Sequence, residues 1–229
     1  EHLGGDKEKQ FSGEAGFWNY PKGSSLNAMA IKCIPEVNAK VLARVPGLPD
    51  EAFVHDGQLT KREVRAITIS RLMPIVDQVL WDIGSGCGSI SIEWMRVSPR
   101  CRAIAVEKSN SRSKIIKQNA YELGVPMLKI VVGNAPEILK NLPSPDAIFI
   151  GGGLSSCDML KICWEALNQG GRFVSNAVTL EGEKKLLDWQ NENGGDLTRI
   201  NISRVEKLGK HQSWKELRPV IQLAAIKKF

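Results

Sequence analysis

Val79-Leu80-Trp81-Asp82-Ile83-Gly84-Ser85-Gly86-Cys87-Gly88 decides the fold of this chain. Five mostly apolar residues run into a turn built on alternating glycines. Ser89 to Val97 then places Ile90, Ile92, Trp94 and Met95 at helical spacing. A buried strand, a tight glycine turn and a helix start make the seat of a nucleotide-like cofactor. Glycine turns sharply there and lets a ligand reach backbone that a side chain would cover. A dinucleotide fingerprint needs Gly-x-Gly-x-x-Gly, which asks for glycine at 89, and that residue is Ser89. The pattern present is Gly-x-Gly-x-Gly, the spacing associated with S-adenosylmethionine.

The chain downstream repeats the unit. Arg102-Ala103-Ile104-Ala105-Val106-Glu107 reads as a second strand ending in an acid. Glu107 lies about 20 residues past the glycine turn, where a carboxylate that accepts both ribose hydroxyls belongs. Lys129 to Val132 is a third strand. The turn Gly133-Asn134-Ala135-Pro136 follows it where an adenine would lie, so Asn134 or the backbone of Ala135 can meet the ring edge. Pro136 equally suits a first helical position. Pro145 to Ile150 is a fourth strand, ending in Gly151-Gly152-Gly153, and a helix is expected from Cys157 to Leu167, stopped by Gly170-Gly171. Arg172 to Ala177 is a fifth strand and Glu181 to Asn191 an amphipathic helix. Two last strands, about Leu197 to Val205 and Val220 to Lys227, flank an expected loop, Lys207 to Trp214, and are expected to pair as a hairpin.

Alternation of strands and helices predicts a doubly wound, mostly parallel sheet of seven strands covered on both faces. With a C-terminal antiparallel hairpin this is the class I S-adenosylmethionine-dependent methyltransferase architecture. Ligands in such sheets bind outside the carboxyl ends of the strands. Gly84 to Gly88, Glu107, Asn134, Gly151 to Gly153 and Asn176 all fall at such ends.

Upstream of this unit the character changes. Residues 1 to 36 are broken by Gly4, Gly5, Gly13, Gly16 and Gly23 and dense in Lys and Glu, with Ala28 to Ile34 as their only expected strand. Such a piece is too short and polar to build a core alone. It reads as the end of another domain or as an extended arm, with residues 37 to 229 as the methyltransferase domain. Val45-Pro46-Gly47-Leu48-Pro49-Asp50 is a turn-rich entry loop. Thr60-Lys61-Arg62-Glu63 reads as a capping box opening a helix through Val64, Ile67, Ile69 and Leu72, which stops near Pro74.

Composition narrows the class further. The 229 residues suffice for one full α/β core, and no apolar run approaches a membrane span. There is no signal-peptide pattern, and the chain starts at Glu1 without Met. Cys33, Cys87, Cys101, Cys157 and Cys163 are odd in number and lack metal-ligand spacing, which implies reduced thiols, a cytoplasmic setting and no metal. The net charge of +6 and pI near 9.1 favour an anionic partner. Nucleic acid is disfavoured. No basic arm with interleaved aromatics is evident, and Gly151 to Gly153 stand where enzymes that methylate base amines carry Asn/Asp-Pro-Pro-aromatic. A cofactor-binding scaffold without turnover remains a competing class.

Several stretches together resemble one family. They are Gly47-Leu48-Pro49-Asp50-Glu51-Ala52-Phe53, Asp56-Gly57-Gln58-Leu59-Thr60-Lys61-Arg62-Glu63-Val64-Arg65, the glycine loop, Ile150 to Gly153, and Asn176-Ala177-Val178-Thr179-Leu180-Glu181. In this order they resemble the decarboxylating precorrin methyltransferases of cobalamin biosynthesis, over about residues 45 to 229. Residues 1 to 36, with Leu3-Gly4-Gly5, resemble the tail of the tetrapyrrole methylase domain that precedes this one in bifunctional members and methylates carbon 5.

The resemblance implies transfer of a methyl group from S-adenosylmethionine to carbon 15 of precorrin-6B, with the ring C acetate leaving as carbon dioxide. It implies cofactor contacts from Thr60, Gly84, Ser85, Gly86, Cys87, Gly88, Glu107 and Ala135, and homo-oligomers, often tetramers, with Trp94, Trp164 and Trp189 in core or interface. Gly151 is placed with the cofactor. Gly152 and Gly153 suit close approach of a flat substrate. Substrate carboxylates call for cations, and the candidates are Lys61, Arg62, Arg65, Lys210 and His211, with Arg199 and Lys207 behind them; Asn176 joins the substrate set. No general acid is assigned; His55 and His211 are candidates.

Overall fold

A computed structural model describes residues 1–39, 41–154 and 158–228. The chain packs as two units, Glu1–Val41 and Leu42–Phe229. The first has one short 3-10 turn, Ala15–Phe17, and a ring cluster in which Tyr20 meets Phe11 and Trp18, each at 4.9 Å between centroids. None of its described residues is buried. The strand expected over Ala28 to Ile34 does not form: the segment is extended, with Met29, Ile31 and Ile34 each more than three-quarters exposed. Apolar spacing alone makes no strand where no second strand completes the ladder.

In the second unit α1 (Arg62–Leu72) leads into β1 (Val79–Ile83), α2 (Ser89–Val97), β2 (Arg102–Glu107), α3 (Asn110–Glu122) and β3 (Lys129–Val132). Then come β4 (Ala147–Ile150), α4 (Met159–Ala166), β5 (Arg172–Ala177), α5 (Leu180–Asn193), β6 (Asp196–Ile200), β7 (Ser203–Leu208), β8 (His211–Glu216) and β9 (Val220–Ile226). Cys157, the expected start of α4, lies outside the described residues.

Seven strands form one sheet in the order β3-β2-β1-β4-β5-β9-β6. It is parallel except for β9, which runs antiparallel to both β5 and β6. Side-chain alternation splits the core. Leu80, Phe149 and Val174 join Ile69, Leu72, Ile92, Trp94 and Ile116 on the α1–α2–α3 face. Trp81, Ile83, Ile148, Ile150 and Phe173 join Cys163, Leu186 and Trp189 on the other. Ser89 to Met95 of α2 are all buried, and its polar members Ser91 and Glu93 are buried with hydrogen-bond partners, Asp82 for the one and Arg65 with the Gly47 and Leu48 amides for the other. Trp94 is wholly core, and Trp164 packs edge-on against Phe173 and Trp189.

Three sequence expectations need correction. The closing hairpin is interrupted: β6 and β9 do pair, but Lys207 to Trp214 is not a loop. It belongs to β7 and β8, a separate two-stranded sheet turning at Gly209-Lys210. Its residues are almost all exposed, so neither face carries an apolar alternation to read. Thr60 does not cap α1. The helix begins at Arg62, Lys61 is the cap residue, and no side chain bonds the first-turn amides. Finally, Arg65 is no substrate clamp. It is fully buried, donates to Glu93 Oε1 at 2.5 Å and Asp50 Oδ1 at 3.3 Å, and also donates to the carbonyls of Thr60 and Leu48. Thr60 is thus drawn by its carbonyl toward Arg65.

That network fixes the entry loop. Glu93 accepts the amides of Gly47 and Leu48 at 2.7 and 2.9 Å. Arg204, on β7, reaches back to Asp50 at 2.9 Å and Glu63 at 2.5 Å, pinning the hairpin to α1. Desolvation works against the charge of Asp50, yet the Arg204 guanidinium holds both carboxyls below their ordinary range. Two cations close helix ends, as the helix dipole favours: Arg172 binds the carbonyls of Leu72 and Met73, and Lys227 those of Trp164, Glu165 and Leu167.

Candidate active site

The sheet order reverses between β1 and β4, where a doubly wound sheet opens a crevice at its carboxyl edge. A cavity of about 390 Å³ lies there. Ile83 and Gly84 after β1, Glu107 and Lys108 after β2, Gly133 to Ala135 after β3 and Gly151 to Gly153 after β4 line it, joined by Gln58, Arg112 and Met159. Backbone bonds carry the ladder past the strand ends: Gly84 N to Val106 O at 2.9 Å, Gly133 N to Glu107 O at 3.1 Å and Gly151 N to Ile83 O at 3.0 Å. The walls are therefore held by the same register as the sheet.

Gly84, Gly86 and Gly88 all have positive φ, at 70°, 59° and 81°. At Gly84 a Cβ would stand 3.0 Å from Gly152 N, so two glycine segments meet at the cavity floor. At Gly88, the cap of α2, a Cβ would stand 2.8 Å from Ile116 Cγ2, so the glycine lets α3 pack against the loop. Ser85 Oγ ties the turn down on Asp82 O at 2.6 Å. The Cys87 carbonyl accepts from Asn119 at 3.0 Å, and burial pushes the Cys87 thiol up, which disfavours the thiolate.

Glu107 is buried and oriented from two sides: Oε2 accepts from Gly86 N and Oε1 from Ser109 N, both at 3.0 Å. On the neighbouring strand Asp82 is fully buried. Its Oδ2 accepts from Ser91 N at 3.0 Å and Ser91 Oγ at 2.6 Å, while Oδ1 has no partner. Burial raises its carboxyl to about 6, the Ser91 bonds oppose this, and the charge of Glu107 adds to it. Glu107 therefore brings a carboxylate to the cavity wall, which suits a cationic ligand, whereas Asp82 is enclosed in the core and does not line the cavity.

Among the residues read as site residues from sequence, Gly84, Glu107, Asn134, Ala135, Gly151, Gly152 and Gly153 share the cavity. Ser85, Gly86, Cys87 and Gly88 form the turn beneath it. Thr60, Lys61 and Arg62 stand at the start of α1 and are not in the cavity wall. Asn176 turns inward: it donates to Thr68 Oγ1 at 3.1 Å and accepts from Gln222 at 2.9 Å. His55 accepts from Gly57 N at 3.1 Å on an exposed loop. Lys207, Lys210 and His211 lie on the hairpin, and Arg199 is paired with Glu183 at 2.6 Å. Gln58, Lys108, Arg112 and Met159 line the cavity and escaped the sequence reading. Gln58 sits inside a quoted motif and Lys108 directly follows Glu107, so adjacency could have flagged both.

The donor set fits S-adenosylmethionine. Open space surrounds the Cβ position of Gly152, and an oriented carboxylate stands at the second strand end. Residues 51–227 match the family described as the precorrin methyltransferase domain. The chain belongs to that family. A precorrin-6Y C(5,15)-methyltransferase [decarboxylating] from Sinorhizobium sp is 45% identical over 97% of this chain and 54% of its own length. The chain therefore spans about half the length of the first curated relatives it matches. A probable cobalt-precorrin-6B C(15)-methyltransferase (decarboxylating) from Pyrobaculum aerophilum is 34% identical over 79% of this chain and 95% of its own. The crystal structure of the C-terminal domain of precorrin-6Y C5,15-methyltransferase from Rhodobacter capsulatus superposes with a TM-score of 0.76 at 42% identity, covering 81% of this chain and all of that one.

Proposed function

We propose that this chain transfers a methyl group from S-adenosylmethionine to carbon 15 of a precorrin and releases the ring C acetate as carbon dioxide. The observation that carries the reading is the meeting of two glycine segments, Gly84 and Gly151 to Gly153, in one cavity with an oriented Glu107. Glu107 would hold the ribose and Asn134 with Ala135 the adenine edge. Gly84 to Gly88 would take the amino-acid end. Bound there, S-adenosylmethionine supplies an electrophilic methyl on sulfur.

Direct displacement asks the protein for alignment more than for a base, because the meso carbon of a reduced tetrapyrrole is electron-rich; orientation can supply up to roughly 7–11 kcal/mol. The bare surface of Gly152 lets a flat macrocycle approach without a side chain in the way. In decarboxylation the bond between the acetate methylene and its carboxyl breaks, carbon dioxide leaves, the electron pair enters the conjugated ring system and the carbon takes a proton. The test is incubation with precorrin-6B and methyl-labelled cofactor, followed by mass spectrometry. A product with one added methyl and one lost carbon dioxide is expected; cofactor binding without either change refutes the substrate.

We further infer that residues 1–36 are the end of a tetrapyrrole methylase domain. The long relative aligns over 97% of this chain, whereas the Pyrobaculum protein aligns over 79%. We infer self-association through the hairpin: Val205, Leu208 and Trp214 of β7 and β8 are half to three-quarters exposed on a sheet of two strands. A cytoplasmic setting agrees with Cys33, Cys87, Cys101 and Cys163 being free thiols.

A further inference from the structure

The stretch from Val54 to Thr60 forms a strap that reaches the cavity at Gln58. At its start Asn119, fully buried on α3, accepts from Val54 N at 2.9 Å and donates to Val54 O at 2.8 Å. The same carboxamide donates to Cys87 O, so one side chain ties the strap to the glycine loop. Further along, Asp56 Oδ2 accepts from Arg112 Nε at 2.8 Å, while its Oδ1 accepts from Gln58 N at 3.2 Å. Gly57 makes the turn with φ of 98°. Gln58 reaches the cavity wall, and its carbonyl oxygen lies 3.7 Å from the Cβ position of Gly86.

We propose that Arg112 is a positioning residue for the cofactor: through Asp56 it holds Gln58 and the strap against the glycine loop. The inference rests on the cofactor reading above. Arg112 sits one helical turn beyond Ser109, whose amide orients Glu107. A single helix start therefore fixes both the ribose carboxylate and the strap. The pairing also holds Asp56 below the ordinary carboxylate range and raises Arg112. The two side chains are 23% and 39% exposed, Arg112 and Asp56 respectively, so the latch is reversible where the Asn119 anchor is not.

The alternative is that Arg112, which lines the cavity, touches the cofactor directly. Asp56→Asn separates the two. It keeps an acceptor for Gln58 N and leaves the Arg112 side chain in place, but sets an amide NH2 where Oδ2 accepted from Arg112 Nε, so the charge and that hydrogen bond are removed together. S-adenosylhomocysteine binding is measured by calorimetry for the intact chain, Asp56→Asn, Arg112→Gln and the double variant. Partly exposed ion pairs bound the expected loss at roughly two- to five-fold in Kd. Positioning predicts equal losses in both single variants, no further loss in the double, and an unchanged melting temperature. In turnover the loss falls in KM for S-adenosylmethionine rather than in kcat. A loss confined to Arg112→Gln, losses that multiply in the double variant, or no loss at all each overturn the proposal. Absence of binding to the unaltered chain refutes the cofactor reading itself. Should Arg112→Gln fail to fold, Asp56→Asn still decides, together with raised ionic strength, which must weaken the unaltered chain toward the variant and leave the variant's own affinity unmoved.

Discussion

Replacing Asp82 by Asn should change the shape of the stability–pH curve, and its size follows from the site. Asp82 is wholly enclosed, with one oxygen satisfied twice by Ser91 and the other without a partner. Its carboxyl moves from an ordinary 3.8 to about 6. At about 1.36 kcal/mol per pH unit, this is worth about 3 kcal/mol. The sign follows from which state holds the proton. The folded chain binds it more tightly than the unfolded chain, so the associated stability is fully present below pH 3.8 and is lost as pH rises through 6. The carboxamide that Asp82→Asn introduces does not titrate, keeps an acceptor for Ser91 and adds an amide group with no partner. That last cost, of order 1–3 kcal/mol, is independent of pH. The absolute difference between the two proteins thus mixes two terms, but its pH dependence isolates one. Urea unfolding at a series of pH values should show the unaltered chain losing about 2 kcal/mol relative to Asp82→Asn between about pH 4.5 and 8. The opposing trends of Asp50 and Glu63, both held low by Arg204, are common to the two proteins and cancel. Parallel curves would refute the argument, because they would mean that Asp82 is either hydrated or already paired.

Gly84→Ala forces a side chain to φ of 70° and puts Cβ 3.0 Å from Gly152 N; about 1–2 kcal/mol of backbone strain and loss of S-adenosylhomocysteine binding by calorimetry are expected. Arg65→Met strands Glu93 without its buried partner and should cost about 3–5 kcal/mol in urea unfolding. Trp214→Ser, at a side chain 72% exposed, should shift sedimentation velocity toward smaller species while leaving the melting temperature of the subunit unchanged; an unmoved distribution sinks the hairpin as the self-association surface.

How much of this was legible depends on what each residue's role requires. β2, β3 and β5 begin and end where the sequence places them: Ala-Ile-Ala-Val in β2 and Ile-Val-Val in β3 are short apolar runs closed by Glu107 and Gly133, and Phe-Val in β5 stands between polar residues, although β3 is an edge strand with no buried residue. The glycine turn was legible because all three of its glycines need positive φ. β7 and β8 were not, since a ribbon exposed on both faces carries Ser-Arg-Val-Glu-Lys-Leu and His-Gln-Ser-Trp-Lys-Glu with no buried side to pattern. The capping box failed at Thr60 because a local motif competes with tertiary pull, and the Arg65 guanidinium engages the Thr60 carbonyl. Asp82 lies in the deciding stretch, but spacing does not say that Ser91 serves only one of its oxygens. Asp56 and Arg112 are separated by α1, β1, α2 and β2, so only the fold brings them together.

The positive balance of the chain is informative only once its location is known. Read from composition, Lys and Arg in excess suggested a surface for a polycarboxylate. The structure instead commits several arginines to the fold: buried Arg65 of α1 holds the entry loop, buried Arg172 closes the end of α1, and half-buried Arg204 holds the seam between hairpin and helix. Each is engaged by carbonyls or carboxyls of the fold. Around the cavity the balance differs. Glu107 supplies a carboxylate to the wall, where Lys108 and Arg112 also stand, and Asp82 is enclosed outside it. A cationic ligand is drawn inward past a basic rim only if that rim is itself neutralised, and Asp56 does this for Arg112. The same pair that holds the strap therefore also lowers the charge a sulfonium must pass, which ties the position of Gln58 to the electrostatics of entry and explains why an acid, rather than any hydrogen-bond acceptor, suits position 56.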